Sequence, residues 1–121
     1  MSLVARKKAE IDEVNTRVKE LTQPILARYA DMVKSADEQL AAIKARLEPE
    51  ITDLQARIAK DSARRPQLEP TLKDYQQRVA DAVKAAQVVK AQAALDRDAQ
   101  LKEVAAEKAA RLQTIEMIHQ V

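Results

Sequence analysis

The chain has no glycine. Glycine fills left-handed backbone positions at no steric cost, so tight strand turns, P-loops, dinucleotide fingerprints and nucleophile elbows all depend on it. An ordinary domain carries about 7% glycine, and a chain of 121 residues without any is steered away from sandwiches, barrels and Rossmann-type units. Aromatic residues are equally scarce: two tyrosines, no phenylalanine and no tryptophan. The absence of cysteine removes disulfides, thiolate nucleophiles and zinc–thiolate sites. A helical, alanine-rich, charge-laced chain remains.

Direction changes must therefore be made by the four prolines. Val4, Ile11, Val18 and Ile25 recur every seven residues, with Val14 and Leu21 between them, and read as a heptad seam. A second series runs through Leu26, Tyr29, Val33, Ala36, Leu40, Ile43 and Leu47 to Ile51, Leu54 and Ile58. Steps of four, Leu21 to Ile25 and Leu47 to Ile51, replace an expected three beside Pro24 and Pro49 and read as stutters. A proline inside a helix removes one hydrogen bond and crowds the preceding turn, so each marks a kink or a break. The flanks lack Gly, Asn and Ser, which favours kinks in one long helix. Thr22 capping a helix that begins near Pro24 is the opposing reading.

The strongest interruption is Asp61 to Pro70, with Pro66 and Pro70 four residues apart. The expected organisation is a first arm over 1–63, a turn over 64–70 and a second arm over 71–121. That last stretch is about 75 Å of helix at 1.5 Å per residue. It holds twelve alanines between Ala80 and Ala110, which suits close backbone approach. Acid-before-base pairs at i,i+4 (Glu13/Arg17, Asp53/Arg57, Glu69/Lys73, Asp74/Arg78, Asp98/Lys102, Glu107/Arg111) should each add about 0.2–0.5 kcal/mol.

The predicted fold is all-α: a long antiparallel helical hairpin of coiled-coil type. One stripe per helix with few large side chains offsets the ordering of the chain only narrowly. Self-association into a four-helix assembly, most simply a dimer, is therefore expected, or docking to a protein partner through the helix faces. Ile25, Met32, Leu40, Leu47 and Leu54 are the expected self-association seam. The apolar periodicity still running at Ile118-His119-Gln120-Val121 points to a piece of a longer protein. A compact three- or four-helix adaptor or chaperone-like bundle is the alternative if Pro24 and Pro49 are true breaks.

The charge is close to balanced. Residues 1–63 hold 11 basic and 11 acidic side chains and residues 64–121 hold 10 and 8, so the formal +2 equals the dipeptide Arg64-Arg65. No one-sign stripe suited to a phosphate backbone is visible, so no specific nucleic-acid partner is expected. No apolar run approaches the roughly 20 residues of a membrane span, and no signal-peptide core follows the start. A soluble chain is expected, with the cytoplasm favoured. Lys60, Arg64 and Arg65 gather positive charge at the expected tip, a contact point for an acidic partner, phosphate or membrane headgroup. Glu116 and His119 have the Glu-x-x-His spacing of carboxylate-bridged metal sites, but with one histidine in the chain only a symmetric dimer could complete one. No metal, cofactor or catalytic group is expected, and the function read from the sequence is a non-enzymatic stalk, spacer or oligomerisation element.

Overall fold

The computed structural model describes residues 2–120, and Met1 and Val121 lie outside the described residues. Among the described residues all secondary structure is helical: α1 (Leu3–Lys60), a 3-10 turn (Ser62–Arg64) and α2 (Arg65–Ile118). None of the helices is long and apolar enough to cross a membrane. Ser2 starts α1, its Oγ accepting from the Ala5 N–H at 3.1 Å and its carbonyl from the Arg6 N–H at 3.0 Å. The Ala5 bond meets one of the four donors that a helix leaves unpaired at its start, and the Arg6 bond is the first regular bond of the helix.

Helix α1 is assigned without interruption through Pro24 and Pro49. Each proline deprives one carbonyl four residues earlier of its donor, on Glu20 and on Ala45. Both prolines and both of those residues are solvent-exposed, so water can replace the lost bond. The flanking leucine, glutamate and isoleucine residues otherwise favour helix. The compact bundle needed breaks at these two positions, and α1 has none.

The reversal is earlier and shorter than the 64–70 segment expected. It occupies Asp61 and the 3-10 turn, and α2 begins at Arg65 rather than Thr71. The Asp61 N–H still donates to the Arg57 carbonyl at 3.0 Å, closing α1. Asp61 then turns extended, at φ −141° and ψ 92°, and its carboxylate accepts from the Ala63 N–H at 3.2 Å. Its carbonyl accepts from the Arg64 N–H at 3.1 Å. Among the described residues no backbone angle φ is positive. One extended aspartate and one tight turn thus reverse the chain without glycine. Pro66 sits in the first turn of α2, where its missing N–H has no helical partner to lose, so it starts this helix and does not interrupt it. Pro70 deprives only the exposed Pro66 carbonyl.

The chain divides into two compact units. Unit 2 covers Met32–Gln92 and is a helical hairpin closed by the turn. Unit 1 pairs residues 2–31 of α1 with residues 93–120 of α2.

Within each unit the covered stripe recurs every eleven residues rather than every seven. In unit 2 the covered positions of α1 are Met32, Ala36, Leu40, Ile43, Leu47, Ile51, Leu54 and Ile58, in steps of four, four and three. Those of α2 include Leu68, Leu72, Tyr75, Val79, Val83, Ala86 and Lys90 at the same spacing. Unit 1 repeats it in Ala93, Val104 and Ile115, and again in Arg97, Lys108 and His119. Eleven residues over three turns is 3.67 per turn, close to the natural helix, so neither helix pair needs the left-handed supercoil that a strict heptad imposes. The extra steps of four are regular features of this repeat and not events caused by proline. Val4, first in the heptad series, is 80% exposed.

Candidate interaction surfaces

The turn presents Lys60 as the last residue of α1, Arg64 in the 3-10 turn and Arg65 as the first residue of α2. All three are exposed, and among the described residues none is paired with a carboxylate. The nearby acids are engaged: Asp61 caps the turn, Asp53 holds Arg57 at 3.0 Å and Glu69 holds Lys73 at 3.1 Å. The three residues expected at the tip flank the turn without an ion-pair partner among the described residues, with the Asp61 carboxylate between them in sequence.

The expected self-association seam is placed differently. Leu47 and Leu54 are 5% and 8% exposed, buried inside the unit 2 hairpin with Ala36, Ile58 and Ala86. Ile25, Met32 and Leu40 are half-buried along the same stripe of α1. The cause is the eleven-residue phase, which keeps all five on the side facing α2. Leu47 and Leu54 hold the hairpin itself and have little surface left for a second chain. The large apolar residues left exposed are others: Val88 and Val89 in unit 2, and Leu26 and Leu95 in unit 1 together with Leu3, Val4, Met117 and Ile118 towards its chain ends.

Polar contacts also join the helices. In unit 2, Lys90 Nζ meets Asp37 Oδ1 at 2.8 Å. In unit 1, Lys7 Nζ meets Glu116 Oε2 at 2.8 Å, and Arg17 Nε reaches Glu107 Oε1 at 3.4 Å. The Arg97 guanidinium lies 4.2 Å from the centre of the Tyr29 ring, a cation–π contact that turns this seam tyrosine into a polar layer. A hydrogen bond to Asp98, with Nε 2.9 Å from Oδ1, pushes the Arg97 pKa above its ordinary value.

Two of the expected same-helix pairs are replaced, one by a cross-helix contact and one by a contact between sequence neighbours. Arg17 leaves Glu13 for Glu107, and Asp98 pairs with Arg97 instead of Lys102. The pairs Asp53/Arg57, Glu69/Lys73, Asp74/Arg78 and Glu107/Arg111 form as the spacing implies.

Glu116 and His119 do not converge. Glu116 is taken by Lys7, while His119 Nε2 lies 2.8 Å from Glu10 Oε2 with its side chain only 8% exposed. Among the described residues no group of three or more His, Cys, Asp or Glu side chains could hold a metal ion.

Comparison with protein-family models, with curated proteins and with solved structures finds no match to this chain. Its surfaces are therefore the only guide to function. What the sequence pattern concealed is that covered positions of α2 are polar: Lys90, Arg97, Lys108 and His119 occupy stripe positions that hydrophobicity alone would place on the surface. The spacing of Arg97, Lys108 and His119, eleven residues each, was the available signal.

Proposed function

We propose that the chain is a non-enzymatic helical interaction module, a stalk, spacer or oligomerisation element that associates through its helix faces, most simply as a dimer with a four-helix cross-section. The observation that carries this reading is the set of large apolar residues outside the intramolecular stripe. Val88 and Val89 are 61% and 43% exposed on α2 of unit 2, and Leu26 and Leu95 are 45% and 63% exposed in unit 1. Covering such side chains gains roughly 25 cal/mol per Å² of apolar surface. Lys60, Arg64 and Arg65 supply this module with a basic end suited to an acidic partner.

Sedimentation equilibrium tests the reading. The unmodified chain is expected to associate at micromolar concentration, and V88E/V89E to sediment as a monomer with unchanged helix content. The charge-reversed R64E/R65E should associate like the unmodified chain, separating the tip from the apolar faces. A unmodified chain that stays monomeric at high micromolar concentration overturns the proposal.

A further inference from the structure

One side of unit 1 is an open groove of about 890 Å³ between α1 and α2. Its apolar lining is Val14 and Ile115, both buried, with Ala110 and the exposed Ile118. Its rim carries Glu10, Glu13, Glu20 and Glu107 against Arg17 and Arg111. Both arginines are drawn to one carboxylate: Glu107 Oε1 lies 3.4 Å from Arg17 Nε and 3.0 Å from Arg111 Nη2. Glu10 is held by His119.

Two rim carboxylates are left over. Glu13 loses its same-helix partner because Arg17 crosses to α2, and neither Glu13 nor Glu20 is paired with a cation among the described residues. They stand seven residues apart on α1, which is two turns, or roughly 10.5 Å along the axis.

We propose that this groove docks an amphipathic helix of a partner protein that carries two Lys or Arg residues seven apart along one edge of its apolar stripe. This rests on the reading of the chain as a helical interaction module and names one partner chemistry for it. Two free carboxylates at helical spacing, beside the exposed Ile118 and Ala110, complement such a helix chiefly in charge and also in surface. A second copy of this chain does not supply it. Its own basic residues seven apart are Arg57/Arg64, which straddle the turn, and Lys90/Arg97, which are held by Asp37 and Tyr29 respectively.

The probe is a fluorescent alanine- and leucine-based peptide of about six turns, with lysines at two positions seven apart beside the leucine stripe, compared with a twin carrying glutamates there. Anisotropy titration is expected to show saturable binding of the lysine peptide, weakened by 0.5 M salt, and none of the glutamate peptide. Glu13→Gln or Glu20→Gln should each weaken it roughly three-fold, and the double variant about ten-fold. Circular dichroism should be unchanged, because both side chains are exposed and unpaired.

Several results overturn the proposal: no saturable binding of the lysine peptide, equal binding of the two peptides, or unaltered affinity in E13Q/E20Q. A change in the sedimentation of E13Q/E20Q without peptide also overturns it, since that places a second copy in the groove. Failure here leaves the V88E/V89E result untouched, so the two proposals stand or fall separately.

Discussion

Unit 2 and unit 1 are built from the same two helices with the same eleven-residue spacing, yet different chemistry fills the covered positions. In unit 2 the α1 stripe is aliphatic, with Leu47, Leu54 and Ile58 buried, and faces leucine, valine and tyrosine on α2. In unit 1 the buried residues are Val14, Ala93 and Ile115, and much of the α2 stripe is charged. Lys7–Glu116, Arg17–Glu107, Glu10–His119 and Tyr29–Arg97 add polar contacts there beside the half-buried Ile11, Val18, Leu21, Val104 and Leu112. Apolar burial stabilises in proportion to area, whereas exposed ion pairs contribute little and depend on geometry. One spacing thus supports a strongly held pair beside a weakly held one, and the weaker pair is where polar side chains remain available for a partner.

The largest test of this contrast is truncation of each core. Leu54→Ala in unit 2 should cost about 2–5 kcal/mol, the range for a buried leucine whose cavity closes only in part. Val14→Ala in unit 1 should cost roughly 1.5 kcal/mol, the worth of two buried carbon groups. Urea titration followed by helix signal gives both values. Native-state hydrogen exchange should show amides within 40–58 better protected than those within 8–25. Equal protection, or a larger loss from Val14→Ala, would break the contrast.

Smaller, but specific to unit 1, is the effect of enlarging an alanine. Ala93 is 2% exposed, so no room remains beside it for a longer side chain. Ala93→Leu should destabilise by about 1–3 kcal/mol through overpacking. Ala99→Leu, at an exposed position of the same helix, should stay within about 0.5 kcal/mol. A neutral Ala93→Leu would mean that the helices do not approach closely on alanine.

The all-helical class was legible in the sequence because the absence of glycine and the alanine content act locally, residue by residue. Continuity through Pro24 and Pro49 was legible for the same reason: their flanks carry no turn chemistry. The reversal was located only approximately, because Pro66 and Pro70 look like breakers until Asp61 is seen to make the turn before them. The eleven-residue repeat was hidden by Lys90, Arg97, Lys108 and His119, polar residues at covered positions. The free carboxylate at Glu13 could not be read from spacing, because i,i+4 geometry assigns Arg17 to it and only the opposite helix supplies the competitor, Glu107.

The smallest expected effect separates the units by salt alone. Lys7–Glu116 and Arg17–Glu107 are partly exposed pairs, each worth about 0–1 kcal/mol. At 1 M ionic strength the screening length falls to roughly 3 Å, about the separation of the charges themselves. Raising NaCl from 0.05 to 1 M should therefore speed amide exchange in unit 1 by a few-fold while leaving the apolar centre of unit 2 unchanged or slower. Lys7→Gln should remove part of that salt response, since Glu116 then has nothing to lose by screening. If salt slowed exchange in both units alike, the polar contacts of unit 1 would be surface decoration, and its helices would be held by Val14, Ala93 and Ile115 alone.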